Sequence, residues 1–270
     1  MQPDASFTGR VVVITGASLG IGAELARQLV PERPRLVLAA RDVGKLDAVA
    51  AECRALGAEV VVVPTDVGLE EDCRALAERA VAAFGGIDCL VLNAGIGMWA
   101  RVDAVRDLTV YERIMRVNYL GSVWCASYAL PALRRGRGRL VVVSSLTGKT
   151  GVPTRSGYAA SKHALHGFFD SLRIELRGTG VSVTMVCPGF VATGIRERNL
   201  DASGRPAGHS HVDEQAAMPV EACVAIMLRA MRGRKREVVY TARARFGQWL
   251  KLLAPGMVDA MAARVIARGR

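Results

Sequence analysis

Short apolar runs alternate with longer amphipathic stretches along most of the chain. Each run is apolar at consecutive rather than alternating positions, which predicts strands that are buried on both faces, as in a parallel sheet. The runs, most of them rich in β-branched residues, lie at 10–15, 36–40, 60–64, 89–93, 140–144, 181–187 and 237–241.

The stretches between these runs have the length and the apolar spacing of helices. Regular alternation of strands and helices predicts an α/β fold with a doubly wound parallel sheet. We assign residues 1–242 to a single domain because no linker rich in Pro, Gly or Ser divides them. The predicted helices lie at 21–30, 43–56, 69–84, 107–133, 158–177 and 219–231.

One long polar segment, at 196–218, interrupts this alternation and contains His209 and His211. A loop of that length inside a compact domain commonly covers an active site. We therefore expect residues 190–218 to form a loop over the substrate.

Residues 243–270 form a basic amphipathic extension beyond the predicted sheet. Apolar residues at helical spacing flank Pro255 and Gly256, which predicts two short helices. From Arg229 onward, 11 basic and 2 acidic residues supply +9 of the net charge of +11. The pattern fits contact with a membrane surface, packing against the domain or a second subunit, or a cover over the substrate cleft; of these we favour packing. Nucleic-acid binding is not expected, because no recognition motif accompanies the charge.

The composition is that of a globular protein from a reducing compartment. With 51% hydrophobic and 23% charged residues, the chain is not disordered, and no apolar stretch approaches the roughly 20 residues that span a bilayer. Residues 1–10 contain Asp4 and no apolar segment, so no secretory signal is expected. The six Cys are scattered without a CxxC pair, which predicts buried thiols and no metal site. We expect a cytoplasmic protein, with at most weak peripheral membrane contact through the extension.

A glycine-rich segment lies where the first strand meets the first helix. Glycines allow a backbone to approach a pyrophosphate, and the helix N-terminus offers its unpaired N–H groups. The spacing G-x3-G-x-G differs from the usual dinucleotide fingerprint, and the segment also satisfies the nucleophile elbow of α/β-hydrolases. That elbow should follow several strands rather than the first, so we favour dinucleotide binding. The candidate residues are Gly16, Ser18, Leu19, Gly20, Ile21 and Gly22.

A second constellation lies downstream, at the ends of later strands. Tyr158 and Lys162 are four residues apart and so share one helical face, while Ser145 follows a strand at the end where open α/β sheets bind ligands. Together with the glycine segment, Asn118 and the sequence Asn93-Ala94-Gly95, these residues closely resemble the classical short-chain dehydrogenase/reductases over about residues 8–241. The resemblance implies a Rossmann-type sheet of about seven strands and a nicotinamide cofactor.

The residue types also indicate a mechanism. Carbonyl reduction needs a hydride and a proton, and a tyrosine ordinarily keeps its proton until about pH 10. A nearby Lys162 cation favours the tyrosinate, which makes Tyr158 the acid/base. Ser145 is then the hydrogen-bond partner of the substrate oxygen. The resemblance implies that Lys162 also anchors the ribose and that Asn118 holds a proton-relay water.

The residues after the second strand bear on the choice of cofactor. An acid at that position selects NAD, whereas this chain has Ala40 followed by Arg41, which resembles the NADP-preferring pattern. A guanidinium can bind the 2′-phosphate through two hydrogen bonds. Asp42 is the opposing signal, and we expect it to cap a helix instead. The resemblance adds further cofactor contacts at Asp66, Val67, Asn93, Ala94, Gly95, Pro188, Gly189 and Thr193.

The substrate is only broadly indicated. Apolar and aromatic candidates for the pocket wall suit a lipophilic carbonyl or alcohol, although ordinary packing explains the same residues. They are Met98, Trp99, Leu146 and Phe190. The sequence therefore predicts an NADP(H)-dependent oxidoreductase that forms a dimer or tetramer, with a C-terminal helical extension resembling that of the hydroxysteroid-dehydrogenase-like branch. The alternative is a catalytically quiet NADP-binding scaffold or membrane-associated protein.

Overall fold

The computed structural model describes residues 6–193, 198–208 and 217–267. Within them, the apolar runs form the strands β1 (Val11–Thr15), β2 (Arg35–Ala40), β3 (Glu59–Pro64), β4 (Cys89–Leu92), β5 (Arg139–Val143), β6 (Ser182–Cys187) and β7 (Glu237–Val239). All neighbours pair in parallel, in the order β3-β2-β1-β4-β5-β6-β7. The predicted fold class is confirmed. The strand order reverses between β1 and β4, so the carboxyl ends of these two strands flank the crevice where doubly wound sheets bind ligands.

Helices cover both faces of the sheet because successive strand residues point to opposite sides. Val11 and Val13 belong to the core cluster that includes side chains of α3, α5 and α6, whereas Val12 and Ile14 belong to the cluster with α1, α2 and α7. The helices are α1 (Gly20–Leu29), α2 (Val43–Ala55), α3 (Glu70–Phe84), α4 (Thr109–Met115), α5 (Gly121–Arg135), α6 (Ser156–Glu175), α7 (Val220–Arg232), α8 (Ala242–Leu253) and α9 (Pro255–Ala267).

The helix predicted at 107–133 is present over Thr109–Arg135, but a π-helical turn at Arg116–Leu120 divides it into α4 and α5. The buried Asn118 lies in this turn, and its amide bonds to both main-chain groups of Ile96. Immediately after the turn, a Cβ on Gly121 would lie 2.4 Å from the carbonyl oxygen of Val67. Single π turns of this kind are frequent at functional sites, and here the turn gives Asn118 its position.

The predicted substrate loop is described only in part. Arg196, His209 and His211 lie outside the described residues. Residues 199–207 are hydrogen-bonded to the loop after β4 through Leu200. Its N–H donates to the carbonyl of Gly97 (2.9 Å), and its carbonyl accepts from the N–H of Trp99 (2.8 Å). A parallel bridge between Val191 and Met218 brings the two ends of the loop together.

The two helices predicted in the extension are present as α8 and α9. The Lys251 ammonium on α8 donates to the carbonyl of Lys149 (2.8 Å), which ties this helix to the domain. Leu250 and Val258 are half-buried, but six other large apolar side chains of α8 and α9 are exposed on the single chain, from 37% at Met261 to 87% at Leu253, and do not pack on the domain. None of the helices in the described ranges has the length and apolar character to cross a membrane.

Candidate active site

The glycine turn between β1 and α1 lies at the carboxyl edge of the sheet. Gly16 and Gly20 have φ angles of +65° and +57°, in the left-handed region that favours glycine. A Cβ on Gly22 would lie 2.4 Å from the carbonyl oxygen of Gly16, so only glycine allows the helix to start this close to the turn. Leu19 precedes α1 and makes no side-chain cap, and Ser18 is half-buried beside it. Such a turn can bring main-chain N–H groups to a phosphate.

Asn93 joins the glycine turn to the end of β4. Its side-chain amide donates to the carbonyls of Thr15 (3.0 Å) and Gly16 (3.1 Å). In return, the Thr15 hydroxyl accepts from the N–H groups of Asn93 (3.0 Å) and Ala94 (3.1 Å). These four hydrogen bonds hold together the two strand ends that flank the crevice.

Gly95 separates two of the predicted catalytic residues. A Cβ there would lie 3.2 Å from Asn118 Oδ1 and 3.7 Å from Lys162 Nζ. Because glycine has no side chain, these two groups are not crowded and the crevice beside them is not filled. The Asn118 amide accepts from the N–H of Ile96 (2.8 Å) and donates to its carbonyl and to Ser161 Oγ (both 2.9 Å). Asn118 thereby joins the loop after β4 to helix α6.

Lys162 is buried on α6, with 4% of its surface exposed. Its ammonium donates to the carbonyl of Val143 at the end of β5 (2.8 Å) and lies 5.6 Å from the ring centroid of the half-buried Tyr158. Burial lowers the pKa of Lys162, and the attraction of Tyr158 and Cys187 acts in the opposite direction. The structure therefore places Lys162 near Tyr158, with the ammonium hydrogen-bonded to the end of β5.

Ser145 lies at the carboxyl end of β5 and is 8% exposed. It caps the helical turn Leu146–Gly148, and its Oγ accepts from the N–H of Thr147 (3.2 Å). The next residue, Leu146, donates its N–H to the carbonyl of Pro188 (2.9 Å), which joins this turn to the segment after β6. The cap occupies an acceptor site of the Ser145 hydroxyl, so its O–H can still act as a donor.

The segment after β6 returns to the glycine turn. Pro188 is buried, Gly189 is exposed, and a Cβ on Gly20 would lie 3.0 Å from the Cβ of Thr193. This approach places Thr193 beside the start of α1. Cofactor candidates from two segments far apart in sequence, the glycine turn and the residues after β6, thus lie side by side.

Arg41 and Asp66 follow β2 and β3 and lie next to each other. Arg41 is 67% exposed, and its Nη1 lies 3.8 Å from Asp66 Oδ2. Asp42 accepts from the N–H of Lys45 (3.1 Å) and caps α2, as expected. Val67 is buried against Gly121. The exposed Arg41 guanidinium thus belongs to the first residue after β2, and the carboxylate of the next residue, Asp42, is occupied in capping α2.

The predicted pocket residues divide into two groups. Trp99, Leu146 and Phe190 are half-buried, as residues that line a cleft can be. Met98 is fully buried: its Sδ accepts from the N–H of Gly157 (3.1 Å), and it packs in a core cluster that includes Ile114. Met98 therefore supports the wall from behind.

Sequence reasoning missed two residues here. Ser161 accepts from Asn118 and donates to the carbonyl of Tyr158 (2.8 Å), and its position directly before Lys162 was a usable signal. Arg155 is buried beside Tyr158, with its guanidinium carbon 4.7 Å from the ring centroid. Nothing in the sequence pattern distinguishes Arg155 from the other arginines.

A polar cluster lies where the end of β6 and the start of β7 meet α6. Among the described residues, His166, Cys187 and Glu237 are the group close enough to hold a metal ion. The Lys149 ammonium, however, lies 2.5 Å from Glu237 Oε2 and already neutralises that carboxylate. Burial lowers the pKa of His166 to about 4 and raises that of Cys187 to about 12, so neither is charged near neutral pH. We interpret the cluster as a structural network.

These elements together fit a dinucleotide. The glycine turn can bind the pyrophosphate, and no side chain fills the crevice at Gly95. The buried Lys162 ammonium lies near the half-buried phenol of Tyr158. Asn93, Gly95 and the glycine turn would hold a nicotinamide cofactor, which would supply the hydride chemistry.

Comparisons with known proteins agree with this geometry. The sequence profile described as short chain dehydrogenase matches residues 10–203. A Dehydrogenase/reductase SDR family protein 7-like from Dictyostelium discoideum is 31% identical, covering 96% of this chain and 82% of its own length. An 11-beta-hydroxysteroid dehydrogenase A from Sesamum indicum is 39% identical, covering 93% and 74%.

Two solved structures resemble the fold. A short-chain dehydrogenase/reductase from Burkholderia phymatum in complex with NAD has a TM-score of 0.83 and 27% identity, covering 93% of this chain and 96% of its own. An alcohol dehydrogenase from Thermococcus sibiricus complexed with 5-hydroxy-NADP has a TM-score of 0.72 and 25% identity, covering 85% and 94%. Both the profile match and the relatives show that this chain belongs to the short-chain dehydrogenase/reductase family of oxidoreductases, in its hydroxysteroid-dehydrogenase-like branch.

Proposed function

We propose that the protein interconverts a carbonyl and an alcohol on a lipophilic substrate, with NADP(H) as the hydride carrier and Tyr158 as the acid/base. The observation that carries this proposal is the buried Lys162 ammonium 5.6 Å from the Tyr158 ring, beside a crevice that fits a dinucleotide. The family membership supports oxidoreductase activity on such groups.

When bound, the nicotinamide supplies or accepts the hydride. In the reductive direction, the Tyr158 hydroxyl donates a proton to the oxygen of the substrate, and the Ser145 O–H donates a hydrogen bond to the same oxygen. Lys162 stabilises the tyrosinate that remains, because a cation close to a phenol favours its deprotonated form. Lys162 is also the proposed ribose anchor.

Asn118 completes the proposed catalytic set as a positioning residue. Its amide is bonded to Ile96 and Ser161, so it controls the distance between the loop after β4 and α6. Both of those elements carry proposed cofactor contacts. A proton-relay water next to Asn118 and Lys162 remains part of this proposal.

The proposed preference for NADP(H) depends on Arg41. Its guanidinium is exposed at the end of β2, where the adenosine ribose is bound in this family, and the Asp42 carboxylate is engaged in capping α2. One similar structure holds NAD and the other a modified NADP, so the neighbours alone do not choose between the two.

We further propose that the exposed apolar residues of α8 and α9 form the interface of a homo-oligomer. Contiguous apolar surface on a single chain usually marks an interaction site. The surface is defined by Phe246, Trp249, Leu252, Leu253, Met257 and Met261. An anionic lipid surface is the competing occupant, since Arg245, Lys251 and Arg264 lie on the same two helices.

Replacement of Tyr158 by Phe should lower kcat for ketone reduction by about 10²–10⁴-fold, because the ring remains while the proton donor is lost. The dissociation constant for NADPH should be unchanged by fluorescence titration. Tyr128→Phe, which removes a hydroxyl at the protein surface, is the matched control. Retention of most activity by Tyr158→Phe contradicts the acid/base role, and a wild-type protein that binds NADPH but reduces no ketone favours the scaffold alternative.

Replacement of Arg41 by Ala should weaken NADPH binding by about 1.5–3 kcal/mol, the value of a charge-assisted hydrogen bond, and leave NADH nearly unaffected. Titration of both nucleotides against wild type, Arg41→Ala and the exposed control Arg79→Ala checks this. Equal losses for the two nucleotides, or a wild-type preference for NADH, would place the 2′-phosphate site elsewhere.

Replacement of both Trp249 and Leu253 by Glu should dissociate the oligomer. A buried large apolar side chain contributes about 1.5–3 kcal/mol, so the dissociation constant should rise at least tenfold. Sedimentation velocity and binding to vesicles containing phosphatidylserine are measured for both proteins. A monomeric wild type whose vesicle binding is abolished by the double replacement would make this surface a lipid-binding one.

A further inference from the structure

One buried guanidinium lies among three aromatic rings of the site. The Arg155 guanidinium carbon is 4.7 Å from the ring centroid of Tyr158, 5.6 Å from that of Trp99 and 6.0 Å from that of Phe190. Arg155 itself is only 7% exposed. All three rings lie within the distance at which a cation is attracted to the face of an aromatic ring.

The three rings come from separate parts of the fold. Trp99 belongs to the loop after β4, Tyr158 to the first turn of α6, and Phe190 to the segment after β6. Tyr158 is the proposed acid/base, whereas Trp99 and Phe190 are the proposed aromatic wall of the substrate pocket. The Arg155 side chain therefore joins the reacting end of the site to its wall.

Gly97 lies next to both Arg155 and a residue of the partly described substrate loop. A Cβ on Gly97 would lie 3.5 Å from Arg155 Nη2 and 2.2 Å from Oδ1 of the buried Asn199. Because Gly97 has no side chain, both the guanidinium and the loop residue have room beside it.

We propose that Arg155 is a positioning residue that determines selectivity for bulky apolar substrates, holding Trp99 and Phe190 as a wall while it orients the ring of Tyr158. This inference rests on the proposed carbonyl–alcohol activity and adds a residue on which selectivity for substrate size depends. A planar guanidinium can stack on several rings at once, whereas an ammonium is a strongly hydrated point charge. A lysine at position 155 should therefore preserve the contact with Tyr158 better than the contacts that hold Trp99 and Phe190.

The test uses two ketones that share one reacting ring, cyclohexanone and 4-phenylcyclohexanone. In Arg155→Lys, kcat for cyclohexanone should stay within about threefold of wild type, while kcat/KM for 4-phenylcyclohexanone should fall about tenfold, mainly through KM. Arg155→Met should lower kcat for both ketones and keep the KM defect. Arg177→Met, which removes an exposed charge two residues beyond α6, should change neither ketone.

A second readout needs no substrate. Acrylamide quenching of Trp99, taken as the difference between each protein and its Trp99→Phe counterpart, should rise at least about twofold in Arg155→Met because the cation–ring contact that holds the indole is lost. The quenching in Arg177→Met should match wild type. Circular dichroism of each variant confirms that the fold is retained.

The two readouts separate this inference from the proposed function. Equal proportional losses for the two ketones in Arg155→Lys, with unchanged Trp99 quenching in Arg155→Met, overturn the role of Arg155. If the wild-type protein reduces neither ketone with NADPH or NADH, the proposed activity on such ketones fails. The quenching result then decides by itself whether Arg155 holds the wall: a rise supports it and no change overturns it.

Discussion

The site depends on one buried cation held between a helix and the sheet. Lys162 reaches from α6 to the carbonyl of Val143 at the end of β5, and the same ammonium lies near the ring of Tyr158. Removing an ammonium from water is costly unless a carbonyl or an anion compensates, and its lowered pKa reflects that cost. The hydrogen bond from Lys162 to Val143 therefore offsets the cost of burying the ammonium, and it also fixes where α6 holds Tyr158, the proposed acid/base, beside the crevice.

The rest of the site follows from the edge of the sheet where the strand order reverses. Thr15 and Asn93 bind each other's main chains and hold the ends of β1 and β4 together. The π turn then presents Asn118 to the loop after β4 and to α6. Each tie is a hydrogen bond between a buried or half-buried side chain and main-chain groups or another side chain, and a fully bonded network of this kind favours one arrangement of the elements that it joins.

Much of this was predictable from the sequence because its signals are local. Strands buried on both faces give consecutive apolar runs, and the Tyr158–Lys162 pair depends only on helical spacing. The π turn at Arg116–Leu120 was not predictable, because the apolar spacing of residues 107–133 is that of one regular helix. The burial of Met98 and the rings around Arg155 likewise arise from distant segments brought together by the fold. The sequence also left open what covers the apolar residues of α8 and α9, because an amphipathic pattern predicts a buried face without identifying what packs against it.

Hydride transfer itself is the central claim, and it can be measured directly. Wild-type protein is incubated with a lipophilic ketone and NADPH deuterated at the transferable C4 position, and the alcohol is analysed by mass spectrometry. The account predicts an alcohol with one deuterium on the carbinol carbon, formed with a primary isotope effect when chemistry limits the rate. An alcohol without deuterium, or no alcohol from any ketone with either nicotinamide cofactor, would contradict it.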